Sequence, residues 1–360
     1  MLFRSGAACG LLVVALVAGP LRVGVGSREV TPDRLRTAEK EPENWLTYGG
    51  TYRAWRYGAL DQITPANVKQ LKAAWAFQTG VNDNGLQSTP LVADGVMYLI
   101  GSGNRVFALD AATGQRQWSY FYETTPVPGA PPSPVRLPAP TNRGVGLGHG
   151  HVYFGTQDNY VVALDAATGK EVWRTHVEDA QAFGCRINSA PLVAGDLVVV
   201  GSTGGDAAHR GHLVAFDGAT GKMRWRFNVI PGPGEKGNET WEGDSWKLGG
   251  GAPWLTGSYD PELNLIYWGT GNASSDFFGD IRKGDNLYTA SIVALRPATG
   301  EVAWHFQTVP HDVWDYDAAY ECILVDLPVN GQPRKLLIHP SKSGYTFVLA
   351  RTRSEEHTSE

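Results

Sequence analysis

Short apolar runs separated by polar turns recur along most of this chain. Four of the runs end in a similar turn, Asp-x-x-Thr-Gly, with a tryptophan four residues after the glycine, although Arg296 replaces the Asp in the last copy. Such alternation predicts half-buried strands joined by a bulged hairpin, because Asp and Thr bond the turn backbone and Gly supplies its positive φ. The copies are 108–114 with Trp118, 163–169 with Trp173, 215–221 with Trp225 and 294–300 with Trp304.

The spacing of these repeats predicts a β-propeller. The turn glycines at 114, 169, 221 and 300 are 55, 52 and 79 residues apart, which is typical of propeller blades or a similar array. The longest interval contains an insertion at 231–254. Residues 74–79 (AWAFQT) echo 303–308 (AWHFQT) and are predicted to be the outer strand of a further blade. Other predicted strands lie at 96–101, 151–156, 197–202, 265–270, 335–340 and 345–350.

Composition agrees with an all-β repeat protein. The 360 residues include 44 glycines and 12 tryptophans, so the chain has many turns and a large interior in which to bury indoles. The net charge of −5 gives no electrostatic footprint for nucleic acid. Cys185 and Cys322 are open to two interpretations, a disulfide in an oxidising compartment or two free buried thiols.

The two ends of the chain carry separate expectations. The apolar run at 11–18 is too short to span a bilayer, so residues 6–28 are predicted to be part of a signal peptide for export to the periplasm. A clipped membrane anchor is the alternative. Residues 1–5 (MLFRS) and 353–360 (RSEEHTSE) match the translation of a common sequencing adapter, and we interpret both as artefacts. The propeller is therefore expected at 31–352, as a portion of a longer protein.

Three features together resemble the PQQ-dependent methanol/ethanol dehydrogenase family: residues 44–50 (NWLTYGG), the tryptophan repeats, and residues 311–317 (HDVWDYD). The similarity extends from about Thr31 to Arg351. It implies an eight-bladed propeller, present here as four blades and part of a fifth, with pyrroloquinoline quinone (PQQ) and a metal ion on the central axis. The implied reaction is periplasmic oxidation of a small alcohol to an aldehyde, with a cytochrome c or a membrane quinone as electron acceptor.

The resemblance also implies a catalytic base and metal ligands. Asp315 matches the family's general base, and carboxylate and amide oxygens suit a hard cation, either Ca²⁺ or a lanthanide ion. Asp206 stands where the family usually has Glu. Asp317 adds negative charge and resembles the lanthanide-dependent branch, although it can also be read as a solvated residue at a strand end. The implied metal ligands are Asp206, Asn272, Asp315 and Asp317.

Cofactor contacts follow from the same resemblance. Trp254 matches the tryptophan beneath PQQ, although a core position is the usual fate of a single Trp. Arg143 and Lys342 match basic contacts to the cofactor, which carries three carboxylates. The smaller predicted contacts are Gln87, Asn188, Thr203, Gly204 and Gly205.

One feature of the family is missing. Many alcohol-oxidising members carry two adjacent cysteines just before the position of Asn142, but residues 137–140 read Leu-Pro-Ala-Pro. Sugar-oxidising quinoproteins lack the pair too, so a sugar or polyol dehydrogenase is an alternative function. A non-catalytic propeller scaffold for outer-membrane assembly, which carries similar tryptophan repeats, is another.

Overall fold

The computed structural model describes residues 29–80, 85–124, 141–178, 185–206 and 209–353. The predicted signal peptide at 6–28, the artefact at 1–5, all but Arg353 of the artefact at 353–360, and the missing cysteine pair at 137–140 lie outside these residues. In the described part, no helix is both long and apolar enough to cross a membrane.

The described residues form five antiparallel sheets in sequence order, each a simple meander. The first is β1 (Leu91–Ala93), β2 (Val96–Gly101), β3 (Arg105–Asp110) and β4 (Arg116–Phe121). The second is β5 (Gly146–Gly148), β6 (His151–Gly155), β7 (Tyr160–Asp165) and β8 (Glu171–His176). The third is β9 (Leu192–Ala194), β10 (Leu197–Gly201), β11 (His212–Asp217) and β12 (Met223–Asn228).

The last two sheets continue the series. The fourth is β13 (Ser258–Asp260), β14 (Leu265–Gly269), β15 (Ser291–Leu295) and β16 (Val302–Gln307). The fifth is β17 (Ile323–Val329), β18 (Gln332–Pro340) and β19 (Thr346–Ala350). One α-helix, α1 (Pro32–Arg36), and short 3₁₀ helices at Ala38–Lys40, Val68–Gln70, Asn238–Thr240, Ser245–Leu248 and Gly279–Ile281 complete the described elements.

The prediction of an all-β protein built from successive blades is confirmed. Four sheets have four strands, and the fifth shows three in the described residues. The segment at 74–79 differs from its prediction, because it belongs to none of the five sheets and has no described strand beside it to complete a ladder.

The repeated turn has the predicted chemistry. The Asp165 carboxylate accepts hydrogen bonds from the backbone N–H of Thr168 at 2.8 Å and from its hydroxyl at 2.6 Å. Asp110 and Asp217 make the same pair of bonds with the Thr three residues later. Where Arg296 replaces the Asp, the backbone bond from the Gly300 N–H to the Arg296 carbonyl at 2.8 Å keeps the turn closed.

Each repeat tryptophan docks onto the turn of the next sheet. The indole N–H of Trp173 donates to the Gly218 carbonyl at 3.1 Å, and its ring lies on Gly221, where a β-carbon would be only 2.6 Å from the ring. The same stacking joins Trp75 to Gly114, Trp118 to Gly169 and Trp225 to Gly300. The Trp304 N–H donates to the Arg351 carbonyl of the fifth sheet at 2.9 Å. The four tryptophans therefore occupy equivalent places, as predicted, and Trp75 docks in the same way without a strand.

The segment before the first sheet ties several sheets together. It contacts the innermost strand, or the residues beside it, of sheets that are far apart in sequence. Its backbone bonds join Trp45 with Val92, Val30 with His149, Tyr52 with Tyr259, and Arg53 with Leu324. These bonds reach the first, second, fourth and fifth sheets. The segment therefore connects the first-strand sides of four blades to one another.

Replacing a docking glycine tests the tryptophan stacking. Gly221→Ala and Gly195→Ala both place alanine at positive φ, +70° and +60°, at a backbone cost of about 1–2 kcal/mol. Only at position 221 must the new methyl displace Trp173, since nothing lies within 4 Å of the corresponding point at Gly195. We expect Gly221→Ala to lose about 1–3 kcal/mol more than Gly195→Ala, measured by urea unfolding. Equal losses would show that the docking contact contributes little.

Candidate functional site

The predicted site residues lie at one end of the five sheets. In an antiparallel meander, the start of the first strand and the end of the second strand lie at the same end of the sheet. Residues just before the first strands are Gln87, Arg143, Asn188, Trp254, Asp315 and Asp317. Residues just after the second strands are Thr203, Gly204, Gly205, Asp206, Asn272 and Lys342. Their wide separation in sequence therefore does not prevent them from meeting.

Hydrogen bonds connect the segments that lead into the first strands. The Thr89 N–H donates to the Arg143 carbonyl, and the Arg143 N–H donates to the Asn188 carbonyl, both at 2.9 Å. The Thr256 hydroxyl donates to the Ala190 carbonyl at 2.8 Å. These bonds join the first four sheets at the end that carries the site residues, so the site has a common backbone support.

Lys342 bridges two of the predicted carboxylates. Its ammonium donates to Asp315 Oδ2 at 3.0 Å and to Asp317 Oδ2 at 3.3 Å, while Asp317 Oδ1 accepts the Asn272 N–H at 2.9 Å. Burial raises the pKa of the Asp317 carboxyl, an effect that the Asn272 N–H and Lys342 only partly oppose. Burial lowers the pKa of Lys342, but the two carboxylates outweigh burial and the net shift is upward. Lys342 is thus held as a cation between Asp315 and Asp317.

Asn272 is oriented by a carboxylate that sequence reasoning missed. Its side-chain N–H donates to Asp276 Oδ1 at 2.6 Å, which leaves its carbonyl oxygen facing Gly205. Burial raises the pKa of Asp276, and the charges of Asp206 and Asp315 raise it further. The available signal was the position of Asp276, four residues after Asn272 in the same loop.

We call Asp206, Asn272, Asp276, Asp315 and Asp317 the oxygen cluster. Hydrogen bonds link Asp276 to Asn272, Asn272 to Asp317, and Lys342 to Asp315 and Asp317, but no three of these four described carboxylates bring their oxygen atoms within 4.8 Å of one another. In the described part of the chain, Lys342 is the cation that ion-pairs with them. Like charges gathered in partly buried space repel, and a hard cation relieves that repulsion. The donor set therefore fits calcium or a lanthanide ion.

Asp312 positions the backbone of Asp315. The carboxylate of Asp312 is fully buried and accepts the N–H groups of Trp314 at 2.9 Å and Tyr316 at 2.7 Å. Asp315, between them, has a φ of +61°, in the left-handed region that non-glycine residues seldom adopt. The two bonds stabilise this conformation, which directs the Asp315 side chain towards Lys342.

Arg282 joins the two loops of the oxygen cluster. Its fully buried guanidinium donates to the carbonyls of Asp276, at 3.2 Å, and Asp312, and to Asn286 Oδ1 at 2.8 Å. Burial lowers its pKa. No motif distinguished this arginine from a surface residue, so sequence reasoning missed it.

Trp254, Arg143 and Asn188 form a second group, the indole platform. The Arg143 guanidinium lies 4.7 Å from the centre of the Trp254 ring and donates to Asn188 Oδ1 at 2.6 Å. Burial lowers the pKa of Arg143, and among the described residues it forms no ion pair. A partly buried cation beside an indole face fits a planar anionic ligand. Such a ligand requires the guanidinium to move from the ring face to its edge.

The remaining predicted residues make fewer hydrogen bonds and contacts with the other site residues. Thr203 pairs with Arg186 through its backbone, and its hydroxyl also donates to the Arg186 carbonyl at 3.3 Å. Gly204 has a φ of +96°, and Gly205 adjoins Ala252, two residues before Trp254. Asp206 and Gln87 are exposed, and no hydrogen bond from the Gln87 side chain to another described residue is present. The structure thus brings Asn272, Asp315 and Asp317 together with Lys342, and Arg143 together with Asn188 and Trp254, whereas Asp206 makes no described contact with these metal candidates.

Comparison with known proteins identifies the family. Residues 45–356 match the PQQ family described as glucose/ethanol/alcohol dehydrogenase, β-propeller domain. The chain belongs to this PQQ-dependent dehydrogenase family. It is 40% identical over 335 residues to the quinohemoprotein alcohol dehydrogenase ADH-IIG of Pseudomonas putida, a match that covers 89% of this chain and 46% of that protein. The chain spans about half the length of the curated relatives it matches.

Solved structures agree with the family assignment. The structure of ADHIIG from Pseudomonas putida HK5 superposes with a TM-score of 0.83 at 38% identity, over 93% of this chain and 50% of that one. A europium-containing methanol dehydrogenase superposes with a TM-score of 0.81 at 36% identity, over 90% of this chain and 59% of that one. The propeller fold predicted from the tryptophan repeats is therefore confirmed.

Removing Arg282 tests the link between the two loops. Arg282→Ala leaves buried carbonyls without a donor, and charged hydrogen bonds are generally worth about 1.5–3 kcal/mol each. We expect the variant to lose about 3 kcal/mol or more of unfolding free energy, measured by urea denaturation. The control is the neighbouring exposed Lys283→Ala, which should stay within about 0.5 kcal/mol of the parent chain. A similarly small loss of unfolding free energy in both variants would show that Arg282 does not stabilise the two loops of the site.

Proposed function

We propose that this chain forms the cofactor-binding part of a periplasmic, PQQ-dependent alcohol dehydrogenase that converts an alcohol into an aldehyde. One observation carries the proposal: the oxygen cluster and the indole platform lie at the same end of the blades, in a chain of this family. The Gly271 N–H donates to the Ala252 carbonyl at 3.0 Å, so the segment of Trp254 adjoins that of Asn272. Family membership supports an enzyme over an assembly scaffold.

The residues present fit PQQ and a hard cation. Trp254 would support the planar rings of PQQ, and Arg143 and Lys342 would supply hydrogen bonds to its anionic oxygens. The smaller contacts come from Gln87, Asn188, Thr203, Gly204 and Gly205. Asp206, Asn272, Asp315 and Asp317 are the proposed metal ligands. When bound, PQQ accepts a hydride, and the metal polarises its carbonyl group.

Asp315 is the proposed general base. A carboxylate at this position can accept the hydroxyl proton of an alcohol as the C–H hydrogen leaves as hydride. Lys342 donates to both Asp315 Oδ2 and the Asp315 carbonyl, the latter at 2.7 Å, and so restrains the base. Asp312 acts through the backbone as a positioning residue. The substrate, and a cytochrome c or membrane quinone as electron acceptor, belong to the same proposal.

The metal is proposed to be a lanthanide rather than calcium. Asp317 adds a fourth carboxylate to the oxygen cluster, and greater negative charge favours a trivalent ion. In the structure both oxygens of Asp317 already have partners, the Asn272 N–H and Lys342. A ligand role therefore requires Lys342 to shift towards the cofactor, where its charge is also proposed to act.

A sugar or polyol is the alternative substrate. The cysteine pair of many alcohol-oxidising members is absent from the sequence, and the matched family includes glucose dehydrogenases by description. Periplasmic location is supported by the apolar run at 11–18.

The metal preference can be measured on the complete protein that contains this chain. Reconstituted with PQQ and either La³⁺ or Ca²⁺, it should reduce an artificial electron acceptor faster with La³⁺. Asp317→Ala should lower La³⁺ affinity about tenfold or more, equivalent to about 1.4 kcal/mol, and Ca²⁺ affinity less. The exposed carboxylate of Asp280 provides the control variant, Asp280→Ala. Full activity with calcium alone, unchanged by Asp317→Ala, would show that Asp317 is not a ligand and that the lanthanide proposal fails.

A further inference from the structure

A second group of potential metal ligands lies outside the oxygen cluster. Glu178, Cys185 and His209 each offer one ligand atom, and these three atoms lie within 4.8 Å of one another. Cys185 is fully buried and His209 is 1% exposed. Cys185 and Cys322 are both free, which excludes the disulfide alternative, and the Cys185 sulfur accepts a hydrogen bond from the Asn159 side-chain N–H at 2.7 Å.

The three ligand atoms face one point. The Cys185 thiol donates to Glu178 Oε1 at 2.8 Å, and His209 Nδ1 lies 3.6 Å from the same oxygen. The other carboxylate oxygen, Oε2, accepts from Arg226 at 2.7 Å. Arg226 therefore orients the carboxylate without occupying the oxygen that faces the thiol and the imidazole.

The surroundings support His209 as a ligand. Its Nε2 lies 3.0 Å from the Ser202 hydroxyl, so an N–H at Nε2 can donate there and leave the Nδ1 lone pair facing Glu178. Metal-bound histidines commonly have such a partner on the second ring nitrogen.

Solvent reaches the group from one side. Glu178 and His209 line a surface cavity of about 400 Å³, together with Arg226 and Trp246. Metal entry needs such a path, and a three-residue site needs space for a fourth ligand. His212 closes part of the site, with its ring edge-on to that of His209 at 5.3 Å between centroids.

We propose that Glu178, Cys185 and His209 bind a divalent transition-metal ion, with Zn²⁺ as the best match, and that water from the cavity completes its coordination. Sulfur and imidazole ligands favour zinc over calcium or lanthanides, which seek oxygen. Tetrahedral zinc places its ligand atoms about 3.3–3.8 Å apart, so small side-chain shifts suffice. The bound metal links the segment before β9 to the segment before β11.

This cross-link flanks the proposed cofactor contacts. Asn188 follows Cys185 by three residues, and Asp206 precedes His209 by three. The competing interpretation is a buried hydrogen-bond network in which Glu178 neutralises Arg226 and accepts the thiol proton. The two interpretations differ in whether Cys185 becomes a thiolate ligand when metal is added.

Cobalt titration of the 360-residue chain separates them. Co²⁺ bound through Cys185 should give a near-ultraviolet thiolate-to-cobalt absorption band, which oxygen ligands of the oxygen cluster cannot produce. The band should disappear in Cys185→Ser and persist in the Cys9→Ser, Cys322→Ala double variant, in which Cys185 is the remaining cysteine. Zn²⁺ should displace the cobalt and raise the Tm of the chain, but not that of Cys185→Ser.

A second variant tests the proposal even if Cys185→Ser fails to fold. His209→Gln, with folding checked by circular dichroism, should weaken Zn²⁺ binding by more than about 100-fold, since loss of a supporting partner alone costs about 10–100-fold. No thiolate band in the parent chain, or an unchanged band in Cys185→Ser, would overturn the proposal. Neither readout uses PQQ or enzyme activity, so this failure is distinct from failure of the proposed function.

Discussion

The indoles of Trp118, Trp173 and Trp225 each lie against a glycine in the turn of the following sheet, and the placement of neighbouring sheets depends on that contact. At Gly221 the ring of Trp173 fills the space that any side chain would need. Its N–H simultaneously satisfies a carbonyl of the same turn. Apolar contact and a directional hydrogen bond at one point define both the distance and the rotation between neighbours. The functional residues sit on loops of separate sheets, so their meeting depends on this repeated docking.

The docking of the sheets brings negatively charged side chains of separate loops to one end of the blades. Asp206, Asp276 and Asp315 come from different loops, and their proximity contributes to the raised pKa of Asp276. Folding therefore works against electrostatic repulsion at this end of the blades, and Lys342 and Arg282 offset part of it. Carboxylates of several loops with few compensating cations, some of them partly buried, are more typical of ligand sites than of structural cores. The same reasoning applies with opposite sign to Arg143 beside Trp254.

Sequence reasoning succeeded where a residue type had a local partner. The Asp, Thr, Gly and Trp of each repeat interact within one turn or with the next copy, so their spacing alone predicted the blades. Arg282 and Asp276 depend on carbonyls and carboxylates of loops distant in sequence, which no spacing encodes. The strand predicted at 74–79 shows the same limit, because a strand requires a neighbour and the docking of Trp75 does not. Cys185 and His209 meet only because their segments flank the same sheet.

The resemblance to the family implies a Glu at position 206, and the Asp present there places a demand on the backbone. A side chain shorter by one methylene reaches the oxygen cluster only if its own segment lies closer to it. Gly204 and Gly205 permit this approach, because a β-carbon at 205 would already lie 3.2 Å from Ala252 Cβ. The segment is also held on both sides, by the Thr203 N–H bonded to the Arg186 carbonyl at 2.8 Å and the Gly250 N–H bonded to the His209 carbonyl at 2.8 Å. The backbone of Asp206 therefore lies between two hydrogen-bonded residues, Thr203 and His209, and His209 is also a ligand of the proposed zinc site.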